Sequence, residues 1–281
     1  MSAVATIAAL TMREALRRRL VAALAVICLA LVGLSSWGFY RLGHNNSMTS
    51  GEVNGALPTA FILFMFMFSF IVALSASAVA SPSVSAEIES GVLQAVVTRP
   101  VRRRDIILGK WLGLAAILAV YTAVVVGLQV VVVRAVSGFM PPQPVTAAAY
   151  LFAEGAVLLT AVLLLSTRLS ALAAGVAGVA LFGIAWLAGV VGALGQSFNI
   201  SALHTASVVS QYIVPTDGLW HGAIYYLEPS SYVSLQISTT ADRGDPFFAA
   251  AAPSWAYLAW AAFWFVLVLA LSVASFERRE L

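Results

Sequence analysis

Residues Leu57–Ala80 read LPTAFILFMFMFSFIVALSASAVA, a run without a charged side chain. A helix needs roughly 20 mostly apolar residues to cross a bilayer, so this run predicts a transmembrane helix. The whole chain has the same character, because 61% of its 281 residues are hydrophobic and only 10% are charged. Soluble proteins have about 45–50% and about 25%. This composition excludes an ordinary soluble enzyme, a disordered chain and a nucleic-acid-binding protein, and it predicts a polytopic membrane protein.

Five further segments have a similar length and composition, which predicts an all-α fold with six transmembrane helices. The spans are expected at about Leu20–Tyr40, Leu57–Ala80, Ile106–Val133, Tyr150–Ser166, Leu172–Leu194 and Trp255–Phe276. The first apolar stretch is longer than that of a cleaved signal peptide, so we expect this span to be retained.

The basic residues predict the orientation of the chain. All 15 Lys and Arg residues except Arg41, Arg134 and Arg243 flank the spans on one side. Positive charge marks the cytoplasmic side of a membrane protein, so both termini are expected in the cytoplasm. Residues 1–19 precede the first span and predict a short amphipathic helix at the cytoplasmic interface.

The cytoplasmic segment 81–105 carries more information than a simple connector. Ser81-Pro82 suits the start of a helix. Glu87 and Glu89 then come early and Arg99 comes late, a polarity that complements a helix dipole. Three apolar residues recur every four positions: Ile88, Val92 and Val96. The pattern predicts an amphipathic helix over Glu87–Arg99, which suits either docking of another protein or packing on its own chain.

The external segment Gln196–Ser254 is too long to be a structureless loop. Its apolar pieces are too short to span a bilayer, so interfacial or re-entrant helices are expected. The stretch from Pro215 to Gly218 is interpreted as a turn. Aromatic residues fit the membrane interface, and a gate or a surface for an external accessory protein is the alternative.

The Ser81–Lys110 stretch resembles the permease subunits of ABC-2-type ATP-binding cassette (ABC) transporters. The shared pattern is an acidic pair, a glycine, a leucine, Pro-Val, basic residues, an aliphatic run and Gly-Lys. In this chain it consists of Glu87, Glu89, Gly91, Leu93, Pro100, Val101, Arg103, Ile106, Leu108, Gly109 and Lys110. Val92 stands where the family often has threonine. Within the family, the chain is most similar to the single-domain permeases that include the copper-site maturation permease of nitrous oxide reductase.

The resemblance implies that residues 1–281 form one transmembrane permease domain in the cell membrane. It implies a homo- or heterodimer of permease chains with two copies of a cytoplasmic ATP-binding subunit, and the Glu87–Arg99 helix as the coupling helix. The ATPase-coupling residues it implies are Glu87, Glu89, Gly91, Leu93, Arg99, Pro100, Arg103 and Lys110. The sequence has no GxxxxGK[ST] motif, so ATP and Mg would be bound by the partner ATPase subunit. The expected function is export of an unidentified substrate.

Polar and aromatic residues within the spans suggest a translocation path. The candidates are Glu154, Gln129, Phe64 and Phe68. Glu154 is placed about one turn into the fourth span, where it would meet a cationic or polar substrate, pair with Arg134 or be hydrated at the headgroups. Gln129 suits an interhelical hydrogen bond.

Two other classes of function compete with transport. An intramembrane enzyme would need a nucleophile or a metal site, but the three histidines (His44, His204 and His221) are isolated, so neither catalytic residues nor a metal site are predicted. An ABC-type assembly, maturation or sensing factor would act through an external protein partner.

Overall fold

Helices make up nearly all of the structure. The computed structural model describes residues 2–17, 19–44, 49–91, 102–238 and 245–279. The helices in these ranges are α1 (Ala3–Leu16), α2 (Arg19–Gly43), α3 (Ser50–Ala80), α4 (Pro82–Glu89), α5 (Arg103–Ser137), α6 (Pro144–Ser166), α7 (Ala171–Ser197), α8 (Ser201–Ile213), α9 (Thr216–Leu227), α10 (Ser230–Ser238) and α11 (Trp255–Glu277). Six are long and apolar enough to cross a membrane, namely α2, α3 with its continuation α4, α5, α6, α7 and α11. The six-span, all-α prediction is confirmed.

Local sequence explains where several helices begin and end. Thr49 and Glu52 form a reciprocal capping box at the start of α3, and such a box satisfies two free backbone N–H groups. Pro82 occupies the first turn of α4, as the Ser-Pro pattern predicts. Gly138 ends α5 with a φ of 73°, a left-handed conformation that favours glycine.

The fourth span is longer than predicted. The sequence places its start at Tyr150, but α6 begins at Pro144. A proline in the first turn of a helix has no N–H to leave unpaired and its φ is already helical, so Pro144 can begin α6. Glu154 therefore lies ten residues, or about 15 Å, along this helix.

One end of the bundle, here called the basic end, gathers α1, α4 and the neighbouring ends of α5, α6 and α11. A buried apolar cluster joins these helices: Val84, Ile106, Ile107, Leu163 and Phe276. Helix α5 has 35 residues, so it is about 50 Å long and exceeds the roughly 30 Å hydrocarbon layer. Helix α1 packs on the first turns of α5 at this end.

At the opposite end, α8 and α9 form a hairpin that dips into the bundle, here called the α8–α9 hairpin. Helix α8 descends along α7 with Ser207 against Gly192, and Asp217 in the first turn of α9 lies against Gly189. Helix α9 then returns, and the Tyr226 carbonyl oxygen accepts a hydrogen bond from Gln143 N at 3.1 Å, beside the start of α6. The tip of the hairpin lies next to Gly189, about 12 Å inside the end of α7.

Candidate functional site

Lys110 joins α4 to α5 at the basic end. Its side chain is buried, with a relative exposure of 4%. The Lys110 ammonium donates to Glu87 Oε1 at 2.5 Å and to the Ser83 carbonyl oxygen at 2.6 Å. A buried ammonium is stable only when it is paired and hydrogen-bonded. Two predicted coupling residues, Glu87 and Lys110, therefore meet in one ion pair.

Two glycines of α5 let α1 approach this joint. A Cβ atom at Gly109 would lie 2.7 Å from Ile7 Cβ, and a Cβ atom at Gly113 would lie 2.5 Å from the Ala8 carbonyl oxygen. A larger side chain at either glycine would therefore push α1 away from α5. The Gly109-Lys110 pair marks the place where α1, α4 and α5 meet.

Arginines tie the last turn of α11 to α5 and to the turn after α6. Arg103 Nη1 donates to the Glu277 and Arg279 carbonyl oxygens, at 3.0 and 2.7 Å. Arg279 Nη1 in turn donates to the Thr167 carbonyl oxygen. Helices α1 and α4, the first turns of α5 and the last turns of α6 and α11 are thus held together as one unit, here called the basic-end platform.

The expected helix over Glu87–Arg99 is wrong at its start. Glu87 and Glu89 lie in the last turn of α4. The chain then leaves the helix, and Gly91 has a φ of 72°, a conformation that a non-glycine residue in a helix does not adopt. Leu93, Arg99 and Pro100 lie outside the described residues.

An open groove of about 910 Å³ lies between α2, α3 and α7, in the half of the bundle nearest the basic end. Most of its lining is apolar and includes Leu24, Ile27, Leu74, Leu172 and Val176. Phe64, Phe68, Gln129 and Glu154 are absent from this lining.

Glu154 is buried in the interior, with a relative exposure of 3%. The Ser69 hydroxyl lies 2.9 Å from each of its carboxylate oxygens, within hydrogen-bond distance of both. The expectations that Glu154 is hydrated at the headgroups or pairs with Arg134 are wrong, because the longer α6 carries it deep into the bundle.

The other three candidate path residues lie in helix contacts. Gln129 is fully buried, and its amide oxygen accepts from the Ser35 hydroxyl at 2.9 Å, so the interhelical hydrogen bond between α2 and α5 is confirmed. The Phe64 ring packs against Phe39 at a centroid distance of 6.0 Å. Phe68 is buried in the central apolar cluster.

The tip of the α8–α9 hairpin carries a polar cluster that the sequence interpretation missed. Gln211 Nε2 donates to Asp217 Oδ2 at 2.8 Å, and His221 Nδ1 lies 2.9 Å from the Asp217 carbonyl oxygen. The Tyr257 hydroxyl donates to the Pro215 carbonyl oxygen at 3.1 Å. The segment was interpreted as a turn, but Pro followed by Thr-Asp-Gly also suits the first turn of a helix, and that signal would have placed α9.

Comparison with protein families gives the decisive match. The family described as "ABC-2 family transporter protein" matches residues 5–281. The chain belongs to the ABC-2 transporter family. A comparison with curated proteins returns no match.

Membership in the ABC-2 family makes this chain the membrane-embedded permease subunit of an ABC transporter. ABC-2 permeases are transport components that work with an ATP-binding subunit. The match covers the family as a whole and does not distinguish the group that includes the copper-site maturation permease. In the permease, the residues of the sequence motif that are described lie on the basic-end platform, away from the α8–α9 hairpin.

Proposed function

We propose that this ABC-2 permease is the membrane half of an ATP-driven exporter in the cell membrane, and that its basic-end platform receives the ATP-binding subunit. The observation that carries the proposal is the joint at Lys110. There, the motif residues Glu87, Gly109 and Lys110 connect α4, α1 and α5 in one place. A force applied to α4 would be transmitted to α5 and α11 because the platform holds these helices together.

The distribution of charge supports a cytoplasmic location for this platform and for both termini. Arg103, Lys110, Arg168 and Arg279 lie at the basic end, whereas Arg41 and Arg134 lie at the other ends of their helices. Basic residues are enriched on the cytoplasmic side. Glu89 is exposed beside the ion pair, where a partner can reach it. ATP and Mg would be held by that partner.

The apolar groove supports a path for an apolar or amphipathic substrate. It opens beside α4, so movement of the platform would change its width. The surfaces of α2 and α7 near it expose large apolar side chains, among them Ile27, Leu172 and Val176. A second permease copy placed over this face would enclose the groove and complete the path.

Purification of the tagged permease from its own host in mild detergents, with mass spectrometry of the proteins that accompany it, tests the proposal. We expect an ATP-binding subunit in a stoichiometric amount. Glu87→Arg and Gly91→Trp should reduce its recovery, because they place a cation beside Lys110 and a bulky side chain at a positive φ. Gly51→Trp at the opposite end, where the structure leaves open space, is the matched control.

The proposal would be overturned if no ATP-binding subunit accompanied the wild-type chain under any of several mild conditions. Equal recovery of the ATP-binding subunit with all three variants would exclude the platform as the docking site. Recovery of a protein from the external side, without an ATPase, would favour an assembly or sensing factor instead.

A further inference from the structure

A small cavity lies between the tip of the α8–α9 hairpin and the interior of the bundle. Its volume is about 10 Å³, the space that one water molecule occupies. Its polar lining comes from Glu154, Thr216, Asp217 and two tryptophans, Trp186 and Trp220. Four helices, α3, α6, α7 and α9, contribute residues, so the cavity lies where the hairpin meets the spans.

Two carboxylates border this cavity without a lysine or arginine partner. Glu154 and Asp217 have relative exposures of 3% and 4%. No lysine or arginine of the described residues forms an ion pair with either one. The nearest basic group is the His221 ring, whose Nδ1 lies 3.6 Å from Asp217 Oδ2. Two negative charges this deep in an apolar bundle would strongly destabilise it.

Three hydrogen-bond donors border the same cavity and have no partner. Trp186 Nε1, Thr216 Oγ1 and Trp220 Nε1 are buried atoms without a hydrogen bond. Thr216 and Trp220 have relative exposures of 1% and 2%. Each unsatisfied buried donor costs about 1–3 kcal/mol, so three around one cavity point to a ligand that accepts hydrogen bonds.

The combination of donors and carboxylates restricts the class of ligand. A metal or alkali cation would be repelled by the hydrogen atoms of the N–H and O–H donors. No group of His, Cys, Asp or Glu in the described part is arranged to hold a metal ion. An anion would be repelled by the two carboxylates. Water fits, because one molecule can accept hydrogen bonds from two of these donors and donate two to the carboxylates.

We propose that this cavity binds one water molecule, and that Glu154 and Asp217 hold one proton between them through that water. The shared proton removes one of the two negative charges, as in other carboxylate pairs that lie close together. The remaining charge is stabilised by hydrogen bonds from Ser69 to Glu154 and from Gln211 to Asp217. The site is therefore a proton-binding site between the hairpin and α6.

Polar groups from each neighbouring helix complete the surroundings of this site. Ser69 comes from α3, Gln211 from α8 and His221 from α9. Tyr257 of α11 holds the Pro215 carbonyl oxygen at the start of α9. Loss of the shared proton would leave two negative charges between the hairpin tip and α6, so the tip is expected to be less firmly seated when the site is deprotonated.

Infrared difference spectroscopy of the full chain in lipid nanodiscs tests the site. At neutral pH, in a Glu228→Gln background that removes the other buried carboxyl group, we expect a carbonyl-stretch band from a protonated carboxyl group, which shifts on exchange of H₂O for D₂O. Exchange of D₂O for D₂¹⁸O should shift a sharp O–D band of one strongly hydrogen-bonded water. Glu154→Gln should remove the carboxyl band, and Asp217→Asn should shift its frequency.

Further variants separate this site from unrelated buried groups. Thr216→Val and Trp220→Phe each remove one donor and should shift or abolish the water band, whereas Thr205→Val on the exposed face of α8 should leave it unchanged. The proposal is overturned if Glu154→Gln keeps the carboxyl band, or if Asp217→Asn leaves the spectrum identical to wild type. It is also overturned if sodium ions displace the water band, because a cation site would then be present.

Discussion

The ion pair at Lys110 leads to the most quantitative prediction. In Lys110→Met, a side chain of similar size stays in the same buried space, but both hydrogen bonds of the ammonium are lost. Hydrogen bonds that involve a charged group contribute about 1.5–3 kcal/mol each. The Glu87 side chain is 25% exposed, so water will hydrate its carboxylate after the change. We therefore take the lower limit for each bond and expect a loss of about 3 kcal/mol in the free energy of unfolding.

Glu87→Gln is the complementary change. Its amide oxygen still accepts from the Lys110 ammonium, but the bond is weaker because the acceptor has lost its charge. We expect a loss of about 1 kcal/mol. In the double variant the glutamine has no ammonium to accept from, so the loss should be close to that of Lys110→Met alone.

Steric trapping of the purified full chain in lipid bicelles measures these free energies. Arg134→Met, an exposed site in the last turn of the same helix, is the matched control and should change stability by less than about 0.5 kcal/mol. The reasoning is refuted if Lys110→Met behaves like this control, or if the effects of the two single changes add in the double variant.

Gly113→Leu should displace α1 and raise proteolysis of the N-terminal segment. Gly127→Leu on the same helix should not, because a Cβ atom there meets nothing within 4 Å. Equal cleavage of the two variants would contradict the α1–α5 contact. Gly189→Leu should unseat the hairpin tip by pressing on Asp217 and raise hydrogen exchange in α9, while Gly183→Leu, which faces open space, should leave exchange unchanged. Burial raises the pKa of Glu228, which follows α9 outside the spans, from 4.5 to about 8. The folded state then binds more protons than the unfolded state. The contribution of Glu228 to the free energy of unfolding is therefore present below about pH 4.5 and is lost as pH rises towards 8. Glu228→Gln should therefore reduce the fall in thermal unfolding temperature over this pH range, and an unchanged pH profile would contradict the burial argument.

The sequence predicts the architecture well because a bilayer imposes a simple requirement. Any run of about 20 apolar residues must form a helix in lipid, and six such runs gave six helices. The predicted boundaries failed where polar residues extend a helix. A proline such as Pro144 can begin a helix or break one, and the outcome depends on whether it lies at the first helical position.

The basic-end platform was predictable only as a motif. The pattern around Glu87 and Gly109-Lys110 marked residues of interest, and the structure explains them by an ion pair and by the close approach of α1. The end of α4 at Glu89 was missed because periodic apolar residues continue beyond Gly91. A glycine with a positive φ interrupts a helix even when the apolar period continues.

The buried cluster at the hairpin tip was the least predictable feature. Asp217 and Glu154 are far apart in sequence, and their proximity depends on how deeply α8 descends along α7. Gly189 and Gly192 permit the close approach, because Asp217 and Ser207 lie against them. The sequence alone does not show which segment fills that contact.

Site-specific photo-crosslinking tests the central claim, that the basic-end platform receives an ATP-binding subunit. A photoreactive amino acid would replace Glu89, which is exposed beside the Lys110 ion pair, and in a second variant Gly51 at the opposite end of the bundle. After irradiation in the native host, we predict a crosslink to an ATP-binding protein from position 89 and none from position 51. Crosslinks to that protein from position 51 alone, or from neither position, would contradict the account.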